Sequence, residues 1–234
     1  SWTQPYKDDE DNPYIQAFWK WWDNGLSDSL EELRITGGEP LMSGNTWKLF
    51  DWFEAQDSNM RFAINSNLIA KKDIVDKLIA KTQGMNHFEL YTSCEAVGAQ
   101  AEYIRDGLVY EQWLTNIKRI LTEANTKGVH IMMTINSLCL FSITEFLDEV
   151  YKLKELTQTR TPTVSLNLLR FPSFQSAVTL PRDIKKRLAD NLEYWLHSVG
   201  KPHELFFDME EQGVERLISY LKLPVTKRRI YISN

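Results

Sequence analysis

The chain reads as an α/β protein built on a parallel sheet. Three observations predict it. Short apolar runs rich in β-branched residues alternate with longer segments of helical period, five strand–helix units follow one another, and polar residues gather where each strand ends. Parallel strands need a crossover, and a helical crossover packs back onto the sheet with right-handed sense. Such a sheet is either open and doubly wound or curled into a complete or partial barrel, and both place ligands at the carboxyl ends of the strands.

A helix precedes the units, from Pro13 to about Asn24, with Asn12 as its cap and Ile15, Phe18, Trp19, Trp22 and Leu26 on one face. That spacing makes Phe18-Trp19-Lys20-Trp21-Trp22 a buried helix face rather than a base-stacking platform, leaving Trp21 without a core role. The first strand is Leu33-Arg34-Ile35-Thr36, followed by a helix from about Asn45 to Phe53 with Trp47, Phe50 and Phe53 on its apolar side. The second strand, Met60 to Ile64, leads to a helix carrying Ile74, Val75, Leu78 and Ile79. The third, His87 to Tyr91, leads to one carrying Val109, Trp113, Ile117, Ile120 and Leu121. Val129–Ile135 is the fourth strand, before a helix with Phe146, Val150 and Leu153. The fifth is Val164–Leu169, before a helix opened by Pro181 with Ile184, Leu188, Leu192 and Trp195. A last helix is predicted from Pro202 to about Leu221.

Composition narrows the function. Of 234 residues, 43% are apolar and 25% charged, which excludes a disordered or low-complexity chain. The net charge of −5, with no long basic stretch, makes nucleic acid an unexpected partner. No apolar run approaches the roughly 18 residues of a membrane span, so no membrane partner is expected and the cytoplasm is the expected compartment. Asp8-Asp9-Glu10-Asp11 and Lys227-Arg228-Arg229 read as solvated charge runs. Two cysteines, Cys94 and Cys139, are too few for a disulfide framework and stand at no metal-ligand spacing. Both are expected to be reduced, with Cys94 a semi-buried residue rather than a reactive thiol. His87, His130, His197 and His203 form no ligand-like pair, so no metal site is read from this chain.

The strand ends carry the chemistry: Thr36-Gly37-Gly38-Glu39-Pro40, Asn65-Ser66-Asn67, Thr92-Ser93-Cys94-Glu95, Thr134-Ile135-Asn136-Ser137 and Leu168-Leu169-Arg170. Any one of these loops could simply cap the next helix; five together describe a site assembled over a rigid sheet. In the first, two glycines permit positive φ or a close backbone approach, Glu39 offers a carboxylate to an ammonium group, and Pro40 stiffens the exit. The turn lacks the glycine pattern and Lys-Ser/Thr pair of a phosphate loop. Arg170 suits either a ligand carboxylate or a surface ion pair.

Ile35-Thr36-Gly37-Gly38-Glu39-Pro40-Leu41 resembles the Gly-Gly-Glu motif after the second strand of radical S-adenosylmethionine (SAM) enzymes, and the likeness runs from about Trp2 to beyond Pro181. Ala101-Glu102-Tyr103-Ile104-Arg105-Asp106-Gly107-Leu108, Leu169-Arg170-Phe171-Pro172-Ser173 and Leu180-Pro181 are similar to the subgroup that carries a C-terminal twitch domain. The resemblance implies a partial (β/α) barrel whose first strand is missing here, with residues 1–200 as the barrel core and 201–234 as a C-terminal helix and the start of an extension. It implies that Gly37, Gly38 and Glu39 receive the amino group of SAM, and that Asn65, Ser66 and Asn67 lie near it. Ser93 and Glu95 would approach the ribose, and Arg105 the carboxylate, as a guanidinium fork suits a carboxylate. No catalytic acid or base of the protein is implied.

The activity implied is one-electron reduction of the SAM sulfonium at a [4Fe–4S] cluster, giving methionine and a 5′-deoxyadenosyl radical that abstracts hydrogen from a substrate the motifs do not name. The electron would come from a reductant protein such as flavodoxin or ferredoxin. Members of the family hold the cluster with Cys-x3-Cys-x2-Cys after the first strand. This chain has two cysteines in all and cannot build that site. The sequence is therefore expected to be a fragment that starts after the cluster loop, inactive by itself. Two rivals stay open: a cluster-less barrel that binds SAM, a nucleoside or a protein partner, and an ordinary doubly wound α/β enzyme with another ligand at the same strand ends.

Overall fold

The computed structural model describes residues 11–56 and 58–224. The acidic residues 8–10 and the basic Lys227-Arg228-Arg229 lie outside them, and Asp11 is exposed. Helix α1, Pro13–Trp21, begins where Asn12 Oδ1 accepts from the Tyr14 N–H at 3.0 Å and Pro13 fills a position that needs no donor. The regular helix is shorter than the sequence predicts, because from Trp22 to Leu26 the coil widens into a π-helical turn and Asn24 and Gly25 leave helical geometry. A short helical turn, α2 (Ser27–Ser29), precedes strand β1 (Glu32–Ile35).

The remaining elements are α3 (Gly44–Ala55), β2 (Arg61–Asn65), α4 (Lys72–Thr82), β3 (Phe88–Ser93), α5 (Gly98–Ile104) and α6 (Tyr110–Glu123), then β4 (Gly128–Ile135), α7 (Ile143–Thr157), β5 (Thr163–Leu168), α8 (Arg182–Trp195) and α9 (Asp208–Leu221). The five parallel strands form one sheet in the order β1-β2-β3-β4-β5, the α/β architecture that the alternation predicts. All five predicted strands are present, displaced by one or two residues at their ends, where a ladder partner rather than apolar pattern sets the limit.

Contacts divide the chain into two compact units: residues up to Ser66 with Ala70–Leu90 and Glu123–Lys127, and Asn67–Ile69 with Tyr91–Thr122 and everything from Gly128. In the first, β1 and β2 run parallel with Leu33 opposite Phe62 and Ile35 opposite Ile64. Aromatic residues fill its core. Phe53 stacks on Phe62 at 4.6 Å between centroids, Phe50 meets Phe62 edge-on at 5.0 Å, and Trp22 meets Trp52 at 5.0 Å. Trp22 is buried, Phe18 and Trp19 are half-buried, and Trp21 is 63% exposed, as their spacing predicts.

In the second unit β4 and β5 run parallel from His130 opposite Thr163 to Ile135 opposite Leu168. The last helix begins six residues later than predicted: α9 starts at Asp208, and Pro202 lies in a turn. A buried carboxylate sets this start, since Glu210 Oε2 accepts from the Phe207 N–H at 2.7 Å and so caps the helix that contains it. Glu210 also accepts from the Val164 N–H of β5 at 2.7 Å and pairs with Lys154 Nζ of α7 at 3.1 Å. No helix among the described residues is long and apolar enough to cross a membrane.

Candidate functional site

Each unit carries strand-end residues that the sequence singles out. In the first, β1 gives way to Gly37 (φ 89°) and Gly38 (φ 55°), both in the left-handed region that favours glycine. A Cβ built on either meets nothing within 4 Å, so the backbone there is open to an approaching group. Glu39 returns to extended geometry, and Pro40 and Leu41 anchor the exit by burial. Trp47 of α3 donates its indole N–H to the Leu41 carbonyl at 3.0 Å, which ties the turn to the following helix.

The Glu39 carboxylate is aimed rather than loose. Its Oε1 accepts from the Ser66 hydroxyl at 2.7 Å and from the Leu41 N–H at 3.2 Å. Ser66 is buried just past β2, so two residues picked out separately in the sequence form one device. Asn65, at the end of β2, is half-buried. A carboxylate oriented by two donors beside an open, glycine-lined turn suits a ligand ammonium group.

In the second unit, Asn67 is exposed and its side-chain oxygen accepts from the Ile69 N–H at 2.8 Å. Ser93 is half-buried at the end of β3. Glu95 is buried, and Arg105, just past α5, donates from Nη2 at 2.6 Å and from Nε at 3.0 Å, both to Glu95 Oε2. The Arg105 side chain keeps 29% exposure against 3% for Glu95, so the pair has a covered acidic end and an accessible cationic end. Both line a cavity of about 480 Å3 with Tyr103, Ile104, Thr134, Asn136, Leu138, Leu169 and Gln175.

Asn136 shapes the wall of this cavity. Its Oδ1 accepts from the Leu138 and Cys139 N–H groups at 2.9 and 3.1 Å, while Nδ2 donates to the Thr134 carbonyl at 3.0 Å. Thr134, Asn136 and Leu169 belong to strand ends that the sequence singles out. Gln175 does not: it reaches the cavity on a 3₁₀ turn, Ser173–Gln175, and its carbonyl accepts from the Ser137 N–H at 2.7 Å. No local pattern marks it.

The two cysteines are buried, and burial pushes each thiol up from 9.0 to about 12. Among the described residues no group of three His, Cys, Asp or Glu side chains is placed to hold a metal. Both thiols are expected to resist iodoacetamide near pH 8 in the native chain and to react once it is unfolded in urea. Because the folded thiols stay protonated to about 12, their contribution to stability is complete below the ordinary value of 9.0 and is lost between there and about 12. Alkylation of either residue in the native chain at the unfolded rate would contradict the burial.

No protein-family model matches the chain, and no curated protein sequence matches it. Among solved structures it is similar to a domain of the pyruvate-formate lyase-activating enzyme of Bacteroides vulgatus ATCC 8482, with 18% identity and a TM-score of 0.46 over 70% of this chain and 93% of that one. It is also similar to Streptococcus suis SuiB, solved bound to the precursor peptide SuiA, with 16% identity and a TM-score of 0.49 over 84% of this chain and 40% of that one. Both likenesses are of backbone path at low identity; the chemistry of the site is read from its own residues.

Proposed function

We propose that the chain binds S-adenosylmethionine and is the SAM-binding body of a radical SAM enzyme. The observation that carries this reading is Glu39, a carboxylate oriented by Ser66 and Leu41 at the mouth of the open Gly37-Gly38 turn. That arrangement would take the methionyl ammonium; in the second unit, the accessible end of Arg105 has the chemistry to take a ligand carboxylate. Asn65, Asn67 and Ser93 are assigned to the remainder of the ligand by their places at the strand ends.

SAM fits the residues present; the [4Fe–4S] cluster does not. Its three thiolates cannot come from a chain with two buried cysteines. A reductant such as flavodoxin or ferredoxin is a partner only where the cluster ligands are supplied from outside this sequence. What this chain contributes is orientation of the ligand's amino-acid end against a rigid sheet.

Titration calorimetry with SAM and S-adenosylhomocysteine tests the reading. Both are expected to bind the wild-type chain, because the ammonium and carboxylate are common to them. Glu39→Gln keeps an oxygen for Ser66 and Leu41 but removes the charge, and is expected to weaken both by about 10-fold or more. Absence of binding, or equal binding to Glu39→Gln, would refute it. A second reading is a cluster-less SAM-binding module, since neither buried cysteine is offered to a cluster. The coding sequence upstream of Ser1 separates the two: an in-frame Cys-x3-Cys-x2-Cys selects the radical enzyme, and a start codon there selects the module.

A further inference from the structure

Among the described residues strand β5 ends the sheet, and its outer edge is treated differently along its length. Ile135 lies opposite Leu168, yet its carbonyl accepts from the Leu169 N–H at 2.9 Å. In a parallel ladder this makes the odd-numbered residues of β5 pair with β4, and turns the N–H and C=O groups of Val164, Leu166 and Leu168 outward. Side chains of α9 serve the beginning of that edge. Glu210 takes the Val164 N–H, and Arg216 Nη2 donates to the Leu166 carbonyl at 2.7 Å. Gly213 of α9 faces Leu166, where a Cβ would stand in ordinary van der Waals contact at 3.5 Å.

Further along, no such cover is present among the described residues. Leu166, Asn167, Leu168, Arg170 and Arg216 instead line a hollow of about 290 Å3. The Leu166 N–H and both polar backbone groups of Leu168 face outward along this stretch, the pattern that accepts an added strand. The hollow holds two guanidinium groups and no carboxylate, and neither Arg170 nor Arg216 has an acidic partner among the described residues. An open strand edge beside two uncompensated cations selects for an extended backbone that carries negative charge.

We propose that the edge of β5 at Leu166–Leu168 is a docking site for an extended, acidic peptide segment of a partner protein, which adds as a strand and places a carboxylate between Arg170 and Arg216. The chain's own residues 225–234 are ill suited, because they carry Lys227, Arg228 and Arg229 and no acidic side chain. A second copy of β5 is equally ill suited, since it would set arginine against arginine. Docking at this edge does not depend on SAM binding, and its test uses no SAM.

The probes are acetyl-Thr-Val-Glu-Val-Thr-amide, its twin N-methylated at all five residues, and the analogue with Lys in place of Glu, each added to the full chain and followed by amide hydrogen exchange. In the free chain the Leu166 and Leu168 amides are expected to exchange fast for strand residues. The Glu peptide should slow them, and the N-methylated twin should not, because it keeps the charge but loses its backbone donors. Arg170→Glu changes an exposed side chain and is expected to weaken the Glu peptide by about 10-fold and to favour the Lys analogue. Slow exchange of both amides in the free chain would show the edge already covered, by residues 225–234 or by a second copy, and would overturn the proposal. So would equal binding of the N-methylated twin, which would reduce the hollow to a small-anion site.

Discussion

Replacing Lys154 by Met is expected to lower the unfolding free energy by about 3–5 kcal/mol, the range for removing one member of a buried ion pair. Lys154 Nζ lies in a fully covered position, donating to the Arg160 carbonyl at 2.7 Å and to both Glu210 oxygens at 3.1 and 3.2 Å, with the Phe206 ring 4.7 Å away. Methionine fills the space but leaves Glu210 buried with only the Val164 and Phe207 N–H groups to answer its charge. Burial raises the Glu210 carboxyl above its ordinary range even beside Lys154, whose charge opposes that rise together with the Phe207 and Val164 N–H groups. A raised carboxyl contributes stability that is complete below its unfolded-state value and is lost as pH rises toward the folded value. The deficit of Lys154→Met should therefore shrink on acidification toward pH 5, as Glu210 takes up a proton. Urea unfolding of both chains at pH 5 and pH 7.5 checks this. A cost below about 1 kcal/mol, or a deficit that grows in acid, would mean that the pair does not join α7, α9 and β5 as its distances indicate.

The strands are legible in the sequence because each is a short apolar run bounded by polar residues, and α3, α6, α7 and α8 because a stripe of Trp, Phe, Leu or Ile repeats at helical period. Helix α5 has no such stripe: of Gly98–Ile104 only Ala101 is buried, so the sequence offers no apolar pattern from which to read it. The start of α9 is misplaced by sequence because Pro202 is the obvious opener, whereas the real signal is the charge of Glu210, interpretable only once its partners Lys154 and Val164 are known. The same limit applies to the site. Gly37, Gly38 and Glu39 stand out in the sequence because two glycines and a carboxylate are adjacent, and the positive φ of both glycines is what that pattern allows. The Ser66–Glu39 bond joins residues 27 apart, and the Arg105–Glu95 pair joins residues 10 apart across a loop and a helix. Neither spacing is a motif. Glu95, anticipated at a ribose, has one carboxylate oxygen taken up by Arg105.

That arrangement predicts how the two side chains act together. On the proposed SAM reading, Arg105→Ala is expected to weaken SAM by about 10- to 100-fold, the cost of losing a charge-assisted bond to a carboxylate. Glu95→Gln should weaken it by less, because both guanidinium bonds go to one oxygen that the amide can supply, while the anchoring charge is gone. The informative quantity is the double variant. If Glu95 acts by holding Arg105, the pair together loses no more affinity than Arg105→Ala alone, since there is no guanidinium left to position. If Glu95 instead bonds the ribose, the two losses add. Calorimetric titration of SAM into the four chains measures this coupling, and urea midpoints taken alongside separate it from instability caused by an altered buried group. Adenosine supplies an independent reading, because it has the ribose but no methionyl carboxylate. Its affinity should be insensitive to Arg105→Ala and to Glu95→Gln alike, and a drop with Glu95→Gln alone would place Glu95 at the sugar and leave Arg105 to be oriented by the cavity wall.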